Sequence, residues 1–306
     1  MTYEVVCEKG APRPAWLAAR TTGIGASEMP KILGVGPPSH GDAMTTYAAK
    51  VAPQGHEGEP EDGPLARGHE LEPVILARCG RDLAKLGLTV REDQRLLRST
   101  AREWGLATVD AEVSDGAPAE FKSSISFDLD EPPLEEWQIQ VQQQIWVKGS
   151  THGYLTALDV IEWRHRTWRL QRDQKYIDEV IIPAGDDLWL RVKERREPPT
   201  TTTPQGLAAW RRLHPKDSGQ LVTLGDAALS LVADWETAKE RAEAAKEAAE
   251  AAKGLLEMVM FDASIGALPD GTSLTYRLQE RAGYAVEPTS FRVLRHQVPR
   301  KKASKR

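Results

Sequence analysis

Residues 106–125, LATVDAEVSDGAPAEFKSSI, contain Asp110, Glu120 and Lys122 at a spacing that could support chemistry. Side chains at positions i and i+2 of a β-strand share a face, so Glu120 and Lys122 point the same way and Phe121 points to the other side. The segment SDGAP has the composition of a turn, and a hairpin there would bring Asp110 beside Glu120.

Two adjacent carboxylates repel each other unless a cation lies between them, and oxygen ligands of this kind suit Mg²⁺ or Mn²⁺. A neighbouring lysine can position or deprotonate a metal-bound water. The same spacing also fits an exposed hairpin that carries ordinary surface charges, because such patterns are common by chance. Local sequence alone leaves both interpretations open.

The elements around this hairpin predict an α/β domain. Apolar residues recur at helical spacing through ELEPVILARCGRDL, and LTVREDQRLLRS has an extended pattern. Residues 104–114 and 118–125 are predicted as two strands, followed by a helix with Pro133 in its first turn and Gly149 at its end. Two further strands and a helical segment, with a possible interruption at Pro183, precede Pro198. The order helix, strands, helix, strands, helix is typical of one α/β domain.

The N-terminal segment WLAARTTGIGASEMPKILG is predicted to start a helix at EMPKIL, with Ser27 as its N-cap and Gly34 at its end. The segment TTTTPQG at 200–206 marks a predicted boundary, which gives domains at residues 1–200 and 201–306. Beyond it, an Ala-, Glu- and Lys-rich stretch predicts a long helix, followed by two or three short strands and the basic tail PRKKASKR. That tail could bind phosphates or serve only for solubility.

Composition excludes several classes of protein. The chain has 306 residues, of which 40% are hydrophobic, and a formal net charge of −5. It is therefore globular, and nucleic-acid binding would need a local basic patch. Two cysteines cannot form a four-cysteine metal site or a disulfide framework. No segment has the pattern of a signal peptide or a membrane span, so we expect a cytoplasmic protein without membrane attachment.

Four motifs in matching order resemble the YqaJ-type viral recombinase family, whose best-known relative is lambda exonuclease. The motifs are the hairpin with AEFK and the segments WLAARTTGIGASEMPKILG, ARGHELEPVI at 66–75 and QIQVQQQIWVKG at 138–149. The resemblance covers roughly residues 14–200. It implies the α/β core of the PD-(D/E)xK nuclease superfamily, a central mixed sheet flanked by helices, here with a C-terminal extension of a long helix and short strands.

The resemblance also implies a metal-dependent active site. Asp110 and Glu120 are the expected metal ligands, together with the backbone carbonyl of Phe121. Glu72, in the segment GHELEP, would lie on a helix and support a second ion or its water. The implied cofactor is Mg²⁺, which Mn²⁺ can replace, with two ions bound.

Two more residues complete the implied catalytic set. Lys122 matches the motif lysine and would activate the attacking water. Gln140 matches the first glutamine of the family's Q-V-Q segment and would orient that lysine, with Gln142 as second choice. From its position alone, Gln140 would otherwise be one of several glutamines on a helix surface.

A pocket for the DNA 5′-phosphate is the last implied feature. Arg20 and Ser27 match the family's R-x(6)-S segment, and Thr108 stands where lambda exonuclease has a serine. An arginine fork and a helix N-terminus both favour a phosphate. The chain departs from the family pattern in having Val109 and Ala111 around Asp110 instead of Pro and Gly. It also lacks a lysine expected before Gly68.

The implied function is a Mg²⁺-dependent exonuclease that degrades linear double-stranded DNA from 5′ to 3′. It would leave 3′ single strands for a single-strand annealing recombinase in phage-type homologous recombination, in a bacterial host cell. The resemblance allows a trimeric ring around DNA. Two alternatives remain open: an endonuclease or single-strand nuclease on the same core, and a catalytically silent DNA-binding or scaffold protein. A closed circular substrate tests the first, and binding of Mg²⁺ or Mn²⁺ tests the second.

Overall fold

The computed structural model describes residues 2–54, 62–201 and 203–279. Contacts divide the chain into two compact units, Met1–His214 and Pro215–Arg306. The predicted domain division after residue 200 stays a prediction, and the contact division lies beyond the helix Pro204–Leu213. That helix packs against the helix Ala43–Val51 within the first unit.

The strands of the first unit's described part form two sheets. They are β1 (Tyr3–Cys7), β2 (Ile24–Gly25), β3 (Val90–Glu92), β4 (Leu96–Ser99), β5 (Gly105–Thr108), β6 (Ala111–Val113), β7 (Pro118–Ser124), β8 (His152–Asp159) and β9 (His165–Gln171). One sheet has the order β1-β4-β5-β2 and the other β3-β6-β7-β8-β9. Both are mixed, because β2 pairs with β5 and β7 with β8 in parallel, while the other pairs are antiparallel.

Helices flank these sheets. They are α1 (Arg13–Arg20), α2 (Met29–Ile32), α3 (Ala43–Val51), α4 (Pro64–Ala84), α5 (Glu135–Lys148), α6 (Gln174–Tyr176), α7 (Ile182–Glu194) and α8 (Pro204–Leu213). Short 3₁₀ turns cover Ala26–Glu28 and Pro38–His40, and a π-helical turn at Ile177–Ile181 joins α6 to α7. The predicted α/β class and the mixed sheet flanked by helices are thus confirmed.

Helix α5 is the central element of the first unit. It forms the crossover between the parallel strands β7 and β8, and it contacts strands of both sheets. Every residue from Ile139 to Lys148 is buried, and Gly149 ends the helix in the left-handed conformation at φ 70°. Each fully buried Ile or Val contributes about 1.5–3 kcal/mol through removal from water. A helix buried on all sides must also satisfy its polar side chains internally, and α5 carries four buried glutamines.

Hydrophobic packing holds the elements around α5. One core cluster joins α5 to α2, α3 and α7, with Trp104 and Trp146 at its centre, 5.2 Å apart. A second cluster lies between α4 and the strands β6, β7 and β8, and includes Ile75 and Cys79. A third cluster packs Val141 and Ile145 of α5 against Leu155 of β8. The second and third clusters thus hold α4 and α5 against the five-stranded sheet.

Three predicted elements differ from the structure. The predicted strand 104–114 breaks at Val109 and Asp110 into β5 and β6, which belong to different sheets. The helix predicted after residue 173 stays regular through Pro183 to Gly185, and its irregular part is the π-helical turn Ile177–Ile181 just before them. Pro183 therefore lies in the first turn of α7, where no backbone N–H is needed. Ser27 is not an N-cap; it lies inside the 3₁₀ turn, and the Glu28 carboxylate accepts from the Gly25 N–H at 2.7 Å.

The second unit contains the predicted long helix, α9 (Ala227–Met260). A two-stranded antiparallel sheet follows, formed by β10 (Ile265–Ala267) and β11 (Ser273–Thr275). Of this sheet, β11 falls in the segment 269–296 where strands are predicted, and β10 precedes that segment. The part of the segment beyond residue 279 and the basic tail lie outside the described residues. Among the helices that are described, none combines the length and hydrophobicity needed to cross a bilayer.

Candidate active site

A cleft of about 730 Å³ lies where the two sheets, α4, α5 and the N-terminal segment meet. The nine residues predicted from the sequence come from five separate parts of the chain, and all of them line this cleft. They are Arg20, Ser27, Glu72, Thr108, Asp110, Glu120, Phe121, Lys122 and Gln140. The structure therefore brings the predicted residues together, whereas their individual roles stay predictions.

Asp110 lies opposite Glu120 because of the hairpin register. Ala111 pairs with Ala119, which places the preceding residue, Asp110, against Glu120. Asp110 Oδ2 accepts a hydrogen bond from the Phe121 N–H at 2.6 Å. Burial raises the pKa of Asp110 well above its ordinary value, and the neighbouring Glu120 carboxylate raises it further. Two carboxylates this close repel each other when both are charged, and a cation bound between them removes that repulsion.

Lys122 and Gln140 complete a tight cluster around Glu120. Lys122 Nζ donates to Glu120 Oε1 at 2.8 Å and to Gln140 Oε1 at 2.8 Å. Gln140 Nε2 donates to the same Glu120 Oε1 at 2.6 Å. Burial alone would lower the pKa of Lys122, but the attraction of Glu120 outweighs it, and the pKa is raised. Lys122 is therefore a charged hydrogen-bond donor held against Glu120.

The segment between β5 and β6 explains why Val109 and Ala111 can stand where the family usually has Pro and Gly. Val109 O accepts from the Gln94 N–H at 2.9 Å, and Asp110 O accepts from the Asp93 N–H at 3.1 Å. The Val109 and Ala111 side chains are fully buried. Backbone pairing and apolar packing thus fix this turn without a proline or a glycine.

Two glutamines that the sequence did not single out also contact the site. Gln144 donates to Glu120 Oε2 at 2.5 Å, and Gln94 donates to Glu72 Oε2 at 2.9 Å. Gln144 lies four residues after Gln140 on α5, which places both on one helix face, and that spacing could have indicated it. Gln94 carried no such signal, because it lies in a turn with φ 59°.

The second-choice residue Gln142 does not reach Lys122. Its amide donates to Gln171 O at 2.7 Å, and its oxygen accepts from the Asp173 N–H at 2.9 Å. It therefore ties α5 to the end of β9 on the side away from the cleft. Of the two glutamines considered from the sequence, only Gln140 contacts the lysine.

Glu72 lies on α4 at a second position in the cleft. Burial raises the pKa of Glu72, which its hydrogen bond from Gln94 and the nearby His69 partly offset. Within the described residues, no group of three or more His, Cys, Asp or Glu side chains is arranged to hold a metal ion. Two side-chain carboxylates, Asp110 and Glu120, form the anionic centre, and Glu72 stands apart from them.

The donor set at this centre fits a divalent cation. A carboxylate offers about four lone-pair positions. Glu120 uses three of them for Lys122, Gln140 and Gln144, and Asp110 uses one for the Phe121 N–H. One ammonium faces two carboxylates, so the centre keeps an excess of negative charge that a hard cation would neutralise.

The N-terminal segment supplies positive charge at the cleft. Arg20 Nη2 donates to Ser27 Oγ at 3.4 Å, and the Arg20 guanidinium stacks on Trp16 at 4.8 Å from the ring centre. Arg13 stacks on the same ring at 4.6 Å. The predicted pair Arg20 and Ser27 thus lies together, next to an aromatic ring that also lines the cleft.

A buried ion pair holds this segment in place. Lys50 on α3 donates to Glu28 at 2.8 Å and to the Arg20 carbonyl at 2.9 Å. Burial alone would raise the pKa of Glu28, but Lys50 and Arg20 outweigh it and lower that pKa. The Lys50 side chain is only 3% exposed, so water screens the attraction between Lys50 and Glu28 only weakly.

Replacement of Lys50 by Met is expected to destabilise the fold by about 3–5 kcal/mol, because it leaves the Glu28 charge buried without its partner. Lys85→Met is the matched control, since Lys85 is 74% exposed beside Asp82 and its loss should cost about 0–1 kcal/mol. Urea denaturation measures both free energies of unfolding. Equal values for the two variants would contradict the importance of the Lys50–Glu28 pair.

The mixed sheets flanked by helices, and the cluster in the cleft, agree with the α/β nuclease core that the sequence resemblance implies. Residues 15–152 of the chain match the model of the YqaJ-like viral recombinase domain. The match includes every predicted site residue. The resemblance stated from the sequence is therefore confirmed.

Several solved structures are similar to this chain at low sequence identity. The alkaline exonuclease LHK-Exo from Laribacter hongkongensis is 21% identical with a TM-score of 0.49, covering 60% of this chain and 94% of that one. The structure of LHK-Exo in complex with dAMP is 20% identical with a TM-score of 0.49, and it also covers 60% of this chain and 94% of that one. A phage-related exonuclease from Haemophilus somnus 129PT is 14% identical with a TM-score of 0.41, covering 56% of this chain and 96% of that one. No curated protein gives a significant match.

Proposed function

We propose that this protein is a divalent-cation-dependent exonuclease that degrades linear double-stranded DNA from its 5′ ends. The observation that carries the proposal is a cluster in the cleft, where Lys122 and Gln140 both donate hydrogen bonds to Glu120. Asp110 lies opposite Glu120 and accepts a hydrogen bond from the Phe121 N–H. The YqaJ-like domain over residues 15–152 supports the same function.

The cation site in this proposal consists of Asp110, Glu120 and the Phe121 carbonyl, with Glu72 beside a second ion. The cofactor is Mg²⁺, with Mn²⁺ as a substitute, and when bound it stabilises the negative charge that develops on the scissile phosphate. Gln94 keeps the Glu72 carboxylate turned toward the cleft through its hydrogen bond.

Lys122 acts in this proposal as a donor that orients the attacking water and a phosphate oxygen. An ammonium has three N–H groups, and two of them are engaged with Glu120 and Gln140. The third is available to a ligand in the cleft. Because Gln140 contacts both Lys122 and Glu120, it fixes the lysine relative to the carboxylate, and donors held in advance stabilise developing charge most effectively.

Arg20, Ser27 and Thr108 form the proposed contact with the 5′-phosphate of a DNA end. Arg20 Nη2 lies 3.4 Å from Ser27 Oγ. Thr108 is the last residue of β5, two residues before Asp110. A phosphate held there would place the first phosphodiester bond near the carboxylates. Digestion from this end leaves 3′ single strands, the substrate of a single-strand annealing recombinase, which is the proposed partner. A ring of three copies around DNA belongs to the same proposal.

The test uses linear duplex DNA labelled at the 5′ or the 3′ end, with closed circular DNA as the second substrate. The expected result is early release of the 5′ label, a preference for 5′-phosphorylated ends, and an intact circle. Early release of the 3′ label would contradict the proposed polarity. Cleavage of the circle would identify an endonuclease on the same core.

A further inference from the structure

We propose that Gln144 is a positioning residue that fixes the Glu120 carboxylate for cation binding. The inference rests on the proposed function, because it concerns the same anionic centre. Gln144 is fully buried on α5. Its amide Nε2 donates to Glu120 Oε2 at 2.5 Å and to the Thr108 carbonyl at 3.0 Å.

The contacts of Glu120 divide between its two oxygens. Oε1 accepts from Lys122 and Gln140, and Oε2 accepts from Gln144. Without Gln144, Oε2 loses this donor, and these side chains hold the carboxylate through Oε1 alone. The Gln144 amide therefore sets the direction in which the free lone pair of Glu120 points, and that direction decides how well the carboxylate meets a cation.

The same amide connects the two segments that carry the carboxylates. Thr108 ends β5 in the four-stranded sheet and lies two residues before Asp110, whereas Glu120 lies in β7 of the five-stranded sheet. Gln144 thus ties the backbone next to Asp110 to the carboxylate opposite it. An amide NH₂ suits this place because it can donate twice, and an oxygen there would repel both acceptors.

Its neighbour Gln143 provides a matched comparison. Gln143 is equally buried, and its Nε2 also bridges two acceptors, the carbonyls of Ile24 and Leu106, at 2.9 Å each. Among the described atoms, the side-chain oxygens of both glutamines are buried without a hydrogen-bond partner. The two residues therefore have similar burial and similar numbers of hydrogen bonds, and of the two only Gln144 contacts a carboxylate of the cleft.

The experiment measures binding of Mn²⁺ alone to the full chain by isothermal titration calorimetry, without DNA. Gln144→Met is expected to weaken binding roughly 10- to 100-fold, the usual effect of removing a partner that orients a ligand. Gln143→Met is expected to keep the wild-type affinity, while both variants lower the melting temperature to a similar degree. Unchanged affinity in Gln144→Met, or equal weakening in Gln143→Met, overturns the inference.

A second variant covers the case in which Gln144→Met does not fold. Gln144→Asn keeps the amide but withdraws it by one methylene, so it should weaken Mn²⁺ binding in the same direction. Wild-type affinity in Gln144→Asn would overturn the inference. Absence of Mn²⁺ binding by the wild-type chain would instead overturn the proposed function, so the two failures are distinguishable.

Discussion

Asp110→Asn is expected to reduce DNA digestion by about a thousandfold or more while the protein stays folded. Loss of a direct cation contact removes several kcal/mol of transition-state stabilisation, and about 4 kcal/mol corresponds to a factor of about a thousand. The Asn oxygen can still accept from the Phe121 N–H, which Asp110 now binds at 2.6 Å. Initial rates of nucleotide release from linear duplex DNA provide the measurement.

The same substitution is expected to leave stability unchanged or to raise it. Burial and the Glu120 charge raise the pKa of Asp110, so folding favours the protonated form of this carboxyl. The sign follows from linkage: the ionised Asp110 costs stability at neutral pH, and the fold recovers that stability as the pH falls through the raised pKa. An Asn resembles the protonated form at every pH, so Asp110→Asn should melt at or above the wild-type temperature.

Asp115→Asn is the control for this prediction. Asp115 lies in the turn of the same hairpin, where it accepts from the Ala117 N–H and from Tyr154, and it does not line the cleft. Its replacement should preserve the rate of digestion. A large loss of activity in Asp115→Asn, or near-wild-type activity in Asp110→Asn, would show that the carboxylates of the cleft are not the chemical centre.

Lys122→Met is expected to lower the turnover rate roughly 100- to 1000-fold, the range seen when one donor to a developing charge is removed. Cation binding should persist or tighten, because the substitution removes a positive charge 2.8 Å from Glu120. In Lys122→Met we therefore expect the turnover rate to fall while the affinity for Mn²⁺ is kept. Single-turnover kinetics and calorimetry on the same preparation provide both values.

Lys175→Met serves as the control for the lysine, since Lys175 is 81% exposed beside Glu179 and lies outside the cleft. It should change neither the rate nor the cation affinity. If Lys122→Met lost cation binding together with activity, Lys122 would act by holding the site together. If it kept the full rate, the lysine would have no part in the chemistry.

Local rules predicted the parts of the site that depend on local geometry. The turn at SDGAP and the two-residue period of a strand were enough to place Asp110 opposite Glu120, with Lys122 on the same face as Glu120. Helical spacing and the end at Gly149 gave α5. These features depend on backbone geometry over fewer than about ten residues. Sequence patterns predict such short-range geometry directly.

Tertiary contacts decided the parts that sequence patterns missed. Gln94 meets Glu72 only because the turn before β4 folds onto α4. Glu28, and not Ser27, accepts the backbone N–H at this turn, because Lys50 from a helix distant in sequence holds the Glu28 carboxylate. The segment LATVDAEV, residues 106–113, contains no Gly or Pro, so it carried no sign that two separate sheets meet there.

The most direct test of the proposed active site is digestion of linear duplex DNA by the full chain in Mg²⁺ and again in excess EDTA. The expected result is steady release of nucleotides in Mg²⁺ and none in EDTA, with Glu120→Gln inactive in both. Digestion that persists in EDTA, or in Glu120→Gln with Mg²⁺, would contradict a cation-dependent nuclease centred on Asp110 and Glu120.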